Sequence, residues 1–246
     1  MKSLRRCLSV VCLIALIVCT SCVKQKNTPY GTRIEEDLTT LNKVDDNYRN
    51  WYEIFVGSFY DSDGDGKGDL KGVTSKLDYI QDLGFTGIWL MPINTSPSYH
   101  KYDVKDYYQV DPSYGTMSDL EDLISECHKR DIKIILDLVL NHSSLNHPWF
   151  NKAATAHQKY IMGLPLTSEE DTFKDFYNFY DGDNPPSGYQ KATGRSFYYE
   201  ANFSTDMPEF NCDNPAVRQE FKSIIDFYMD KGVDGFRLDA VKYYYI

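Results

Sequence analysis

Arg237 and Asp239 stand two residues apart in the run Gly235-Phe236-Arg237-Leu238-Asp239-Ala240. The run reads as a strand, in which alternate residues share a face, so the guanidinium lies beside the carboxylate. A neighbouring cation favours the ionised acid. An ionised carboxylate held at a strand end is the nucleophile of covalent glycosyl transfer, which also needs a second carboxyl group as proton donor. A lone Asp at a strand end more often just meets solvent. The chemical reading therefore depends on what else the chain brings to the same place. Asp137 closes another apolar run, Ile132 to Leu136, and His142 follows it.

The stretch Asp61-Ser62-Asp63-Gly64-Asp65-Gly66-Lys67-Gly68-Asp69 points to metal binding. Oxygen donors alternate and glycines permit a tight turn, as in the first part of an EF-hand loop. Asp61, Asp63, Asp65 and Asp69 could supply side-chain oxygens, and Lys67 its carbonyl. Such carboxylates repel one another without a cation, so Ca2+ is the expected occupant. The twelfth position is Gly72 instead of Glu, and no helix precedes, so the loop is not an EF-hand.

These groups need a scaffold, and strands alternate with helices from Trp51 onward. Tyr52 to Phe59 is strand-like. Val73, Leu77 and Ile80 keep a helical period closed by Gly84. Gly87 to Met91 is a buried strand stopped by Pro92. Ser118 with Glu121 reads as a capping box before the stripe Leu120, Leu123, Ile124 and Cys127. Pro215 suits a first helical turn, Val217, Phe221, Ile224 and Tyr228 supply its stripe, and Gly232 ends it. Val233 to Leu238 is the last strand.

Repeated strand–helix units imply parallel strands joined by right-handed crossovers. The polar residues of interest fall at C-terminal strand ends. A (β/α)8 barrel puts its active site there, and a doubly wound sheet obeys a similar rule, so position alone leaves both folds open. Between about His142 and Asn202 the pattern breaks. A stretch that long is expected to be a small inserted domain, not a bare loop.

The 246 residues are 42% apolar and 25% charged, a globular composition. The net charge of -10 argues against a nucleic-acid partner and suits a neutral polymer or a cation. Lys2, Arg5 and Arg6 precede an apolar run from Leu8 to Val18, too short to span a bilayer comfortably. Residues 1–22 are read as a signal peptide, with small residues before Cys22 resembling a bacterial lipoprotein cleavage site; an ordinary secretory signal is the alternative. Lipid on Cys22 would anchor an exported, cell-surface protein, and residues 23–48 would form a polar tether. Cys127 is expected as a buried small hydrophobe, and spacing leaves a Cys127–Cys212 disulfide open.

Three ordered motifs carry a family resemblance. Asp137-Leu138-Val139-Leu140-Asn141-His142, Met207-Pro208-Glu209-Phe210-Asn211 and the run from Gly235 to Lys242 resemble signatures of glycoside hydrolase family 13, the alpha-amylase family. The resemblance implies an α/β fold: about the first four strands of a (β/α)8 barrel over residues 49–246, with an inserted domain B after strand three at about 142–205. It implies that Asp239 is the nucleophile, oriented by Arg237, with Asp137 paired to that arginine. His142 and Lys242 would contact sugar, Tyr102 would stack beneath it, and His100 would help. The Asp-rich loop resembles a calcium loop that some members carry after strand one.

The implied activity is retaining, endo-acting hydrolysis of α-1,4 bonds in starch or maltooligosaccharides. The family's acid Glu belongs to later strands, so this chain is expected to be inactive alone. Met207-Pro208 leans toward amylase over oligo-1,6-glucosidase. Neopullulanase and glucanotransferase types, and a non-catalytic glycan-binding lipoprotein, are the alternatives. Tyr243 stands where many alpha-amylases carry His, and Lys101 replaces a common Gly.

Overall fold

The computed structural model describes residues 48–244. The expected signal peptide, Cys22 and all but the last residue of the expected tether lie outside the described residues. Strand β1 (Trp51–Ile54) is followed by one helical turn, α1 (Val56–Phe59), then the Asp-rich loop and two short helices, α2 (Leu70–Ser75) and α3 (Leu77–Asp82). Next come β2 (Gly87–Leu90), the antiparallel pair β3 (Asn94–Thr95) and β4 (Asp106–Val110), helix α4 (Met117–Lys129) and β5 (Lys133–Leu138). The excursion holds α5 (Pro148–Ile161), α6 (Ser168–Phe173) and strands β6 (Phe179–Tyr180), β7 (Tyr189–Lys191) and β8 (Tyr198–Glu200). Helix α7 (Pro215–Asp230) then leads to β9 (Gly235–Leu238) and a 3-10 turn at Val241–Tyr243.

Strands β1, β2, β5 and β9 form one parallel sheet in that order. A doubly wound sheet reverses its strand order at the switch point. Here the four strands follow chain order, as successive barrel strands do. The inner strands bury Ile88, Leu90, Ile134 and Leu136. They share one apolar cluster with the expected helix stripes, Leu120, Leu123, Ile124 and Cys127 of α4 and Val217, Phe221, Ile224 and Tyr228 of α7. The outer strands leave Trp51 and Leu238 exposed.

The excursion carries a sheet of its own, in the order β6-β8-β7. Its base is closed by backbone bonds from Ser143 to Pro208 (3.1 Å) and from Phe210 to Asn141 (2.9 Å). The returning segment therefore reaches Phe210, past the expected limit near 205. His147 caps α5 by accepting the Trp149 amide at 3.0 Å. Trp149 packs among Tyr107, Phe176 and Phe210, so the start of α5 packs at the base of the excursion.

Three local expectations change. The first strand stops at Ile54, because the Gly57 carbonyl accepts the Gly68 amide at 3.0 Å and folds the chain back over the Asp-rich loop. The capping box lies two residues earlier, with Thr116 and Asp119 each accepting the other's backbone amide. The N-cap needs extended backbone, and Thr116 has it (φ -117, ψ 169). The helix expected through Val73, Leu77 and Ile80 breaks at Lys76, where φ is -105 and ψ is 7. Cys127 is buried as expected, Cys212 is buried too, and no disulfide joins the two.

Candidate active site

The parallel register sets Asp137 on β5 opposite Arg237 on β9. Arg237 Nη1 donates to both Asp137 oxygens, at 3.0 and 3.2 Å, and to Asp239 Oδ1 at 2.6 Å. Asp239 lies one residue past β9 and its amide bonds the Leu138 carbonyl at 3.1 Å, so the strand ladder fixes it. The Tyr102 hydroxyl donates to Asp137 Oδ2 at 3.0 Å. Four residues from three chain segments thus form one hydrogen-bonded array.

Burial governs the charges. It pushes the Asp137 carboxyl up to about 6, although Arg237 and Tyr102 both favour its ionised form. Desolvation of a fully covered side chain outweighs a guanidinium that is itself 37% exposed. Burial likewise raises the Tyr102 phenol, with Asp137 adding to the shift. His142 is 2% exposed, and its Nε2 is buried with no protein partner. Burial holds its ring neutral, with a pKa down to about 4, while nearby Asp239 pulls the other way. An unpartnered buried nitrogen is costly unless a ligand satisfies it.

His100 is exposed beside this array. Its Nδ1 lies 3.1 Å from the Tyr102 amide and 3.1 Å from the Ser98 hydroxyl, and its ring is 6.1 Å from that of Tyr102. Lys242 is exposed on the 3-10 turn, with its ammonium 4.6 Å from the Tyr243 ring centre. The structure gathers Tyr102, Asp137, Arg237 and Asp239, with His142 close by, and sets Lys242 apart from the hydrogen-bonded array.

Two aromatic residues absent from the sequence reading support the array. Trp89 lies beneath Arg237, with the guanidinium carbon 5.2 Å from its ring. Phe203 packs on His142 at 5.2 Å and on Tyr243 at 4.9 Å. Trp89 had a signal: it pairs with Ile135, two residues before Asp137, so strand alternation puts it on the same face one layer down. Phe203 had none, since a domain fold brings it there.

The Asp-rich loop is a separate cluster. Asp61, Asp63 and Asp65 each offer a carboxylate oxygen, and these oxygens lie within 4.8 Å of one another. Asp61 accepts amides from Gly64 (2.7 Å), Gly66 (2.8 Å) and Asp63 (3.1 Å). The bonds from Gly66 and Gly64 lower its pKa. Gly64 and Gly66 take φ of 85 and 91, which lets the loop curl. Asp69 instead caps α2, bonding the Gly72 amide at 2.7 Å and both the amide and hydroxyl of Ser62 at 2.8 Å. The Lys67 amide bonds Asp65 at 2.8 Å. No lysine or arginine pairs with Asp61, Asp63 or Asp65 among the described residues. Hard carboxylate oxygens that converge without a protein cation fit Ca2+. Gly72, where an EF-hand has Glu, cannot carry a side chain: an added Cβ would fall 1.9 Å from the Tyr60 carbonyl.

Comparison with known proteins gives the family. Residues 53–245 match the family described as Alpha amylase, catalytic domain. The chain is 50% identical over 200 residues to Alpha-amylase 3 of Dictyoglomus thermophilum, covering 80% of this chain and 38% of that protein. It is 39% identical over 204 residues to the oligo-1,6-glucosidase of Parageobacillus thermoglucosidasius, covering 77% and 34%. Among solved structures, Eubacterium rectale Amy13B superposes with a TM-score of 0.75 at 52% identity, covering 82% of this chain and 38% of that one. The chain thus spans little more than a third of these relatives. The matched model, these identities and the Arg237-centred array show together that the chain belongs to glycoside hydrolase family 13, the alpha-amylase family, and that its four strands are part of a (β/α)8 barrel.

Proposed function

We propose that this chain is part of an exported, lipid-anchored enzyme that cleaves α-1,4-glucosidic bonds within starch or maltooligosaccharides, with retention. One observation carries the reading: a single Arg237 nitrogen bonds both Asp137 and Asp239. In this scheme an Asp239 oxygen attacks C1 of the bound sugar. A C1–O bond to the carboxylate forms as the bond to the glycosidic oxygen breaks, that oxygen taking a proton from the acid Glu that the family carries on later strands, and water later displaces the enzyme. Arg237 aims Asp239. The flat Tyr102 ring limits the motion of the sugar before attack. The neutral His142 offers its free Nε2 to a sugar hydroxyl. His100 and Lys242 are assigned to the same substrate.

Asp61, Asp63 and Asp65 would hold a Ca2+ ion, with the Lys67 carbonyl and Asp69 beside them. The ion would stiffen the loop and take no part in bond cleavage. Lipid on Cys22 would hold the protein at the cell surface. That part is tested alone: Cys22→Ser should abolish palmitate incorporation and release the protein from membranes, and unchanged fractionation would overturn it.

The catalytic part is tested with α-maltosyl fluoride. Fluoride departs without protonation, so its release reports on Asp239 independently of any proton donor. Stoichiometric or greater fluoride release, lost in Asp239→Asn, is expected. Release at the blank rate with retained maltooligosaccharide binding would instead favour a glycan-binding protein.

A further inference from the structure

Lys101 lies between His100 and Tyr102 and is 7% exposed, an unusual setting for a lysine. Its φ is 62, in a region that residues with a Cβ occupy only when their surroundings hold them there. Its ammonium meets Asp111 Oδ2 at 2.7 Å, with the two side chains 8% and 10% exposed. The ammonium also sits 4.9 Å from the Tyr114 ring centre. Burial works against ionising Asp111, yet bonds from Lys101 and Ser113 hold its carboxyl below the ordinary value.

The same carboxylate organises the chain around it. Asp111 accepts the Ser113 hydroxyl at 2.6 Å, the Ser113 amide at 3.0 Å and the Ser96 amide at 3.3 Å. Ser96 and Ser98 both donate to buried Asp103, and the Ser98 hydroxyl accepts the Lys101 amide at 3.2 Å. Tyr114 extends the contact outward: its carbonyl accepts the amide of Leu70, the residue after Asp69, at 2.9 Å. Residues 96–103 are therefore clasped at both ends, and the only cation in that clasp is Lys101.

A buried ion pair that served stability alone could be replaced by apolar residues at little cost. This one belongs to the residue preceding Tyr102, on a backbone turned into the left-handed region. We propose that Lys101 is a positioning residue, whose buried pairing with Asp111 sets the Tyr102 phenol against Asp137. Its consequence for catalysis rests on the proposed role of Tyr102, but the positioning can be read without any activity.

The experiment incorporates 3-fluorotyrosine into the intact protein, with the Tyr102 fluorine resonance assigned by its loss in Tyr102→Phe. Lys101→Met should displace and broaden that resonance more than any other tyrosine signal. Lys101→Met leaves a buried carboxylate unpaired and risks unfolding. The double variant Lys101→Met with Asp111→Leu removes both charges and keeps the test falsifiable. Its melting temperature should return toward wild type while the Tyr102 signal stays displaced, and Lys101→Arg should bring the signal back. In the folded double variant, KM for α-maltosyl fluoride should rise about tenfold with kcat changed less, as for a lost ground-state contact. A Tyr102 resonance at the wild-type position in that variant would overturn the proposal. A displaced resonance with unchanged kinetics would uphold the positioning and count against the platform role of Tyr102.

Discussion

The molecule carries two clusters of carboxylates that solve the same electrostatic problem in opposite ways. Asp137 and Asp239 share a cation from the protein itself, Arg237, which faces away from the side of the sheet that buries Ile134 and Leu136. Asp61, Asp63 and Asp65 are paired with no protein cation among the described residues and turn toward solvent, neutralised in part by amides of their own loop. The first cluster is preorganised: its geometry comes from strand register and does not wait for an ion. The second is left open to one. A nucleophile must be aimed before substrate arrives, whereas a structural cation can order its own ligands.

The sharpest way to break the comparison is to remove the proposed nucleophile. Asp239→Asn should lower fluoride release from α-maltosyl fluoride by about 10^3-fold or more, or about 4 kcal/mol. The same substitution at Asp63 should leave that rate within about twofold. Equal losses would mean that the loop shares in the chemistry.

Acidity separates the groups next. Folded Asp137 keeps its proton up to about 6, but the unfolded chain releases it near 3.8. Between those values the folded state binds more protons, so this group's contribution to stability falls as pH rises. His142 and His147 behave in the opposite sense. Buried and neutral, they resist protonation down to about 4 and about 3, whereas the unfolded rings protonate near 6.5. Their contribution is lost as pH falls below about 6.5. The Asp137 and His142 terms are each about 3 kcal/mol and the His147 term about 5 kcal/mol when fully expressed. Asp137→Asn should therefore steepen the acid-side loss of stability between pH 6 and 4, and His142→Gln should flatten it. Denaturant unfolding across that range checks both signs.

Arg237→Met tests whether the internal cation is needed for folding. It leaves buried Asp137 unpaired and should cost about 2 kcal/mol, below the usual 3–5 because the guanidinium is partly exposed. Adding Asp137→Asn should recover most of that loss. No recovery would mean that Arg237 acts mainly through its packing on Trp89.

The smallest effect belongs to the loop. Calcium at ten times its dissociation constant should add about 1.4 kcal/mol to stability. Asp61→Asn with Asp65→Asn should erase the gain. A calcium response that survives the pair would place the ion elsewhere.

Much of this arrangement was legible in the sequence because it is local or periodic. Arg237 and Asp239 share a face by strand alternation, and the buried stripes of α4 and α7 follow from helical spacing. The loop of alternating Asp and Gly announced its turn. The capping box was misplaced because Thr116–Asp119 and Ser118–Glu121 have the same spacing, and only backbone geometry separates them. The first strand was overextended because the bond that ends it, from Gly68 to Gly57, is not periodic.

The sequence alone determined which residues form strand and helix faces, which acids could be nucleophile or ligand, and the family that their order resembles. Those properties depend on neighbours a few positions apart. The tertiary structure decided that Asp137, 100 residues from Arg237, shares its guanidinium, and that Tyr102 closes on the same carboxylate. It also decided that Asp137 holds its proton more tightly than an ordinary aspartate, and that Lys101 is buried against Asp111. Desolvation and long-range pairing arise from the whole packed volume around a group, and no spacing along the chain encodes them.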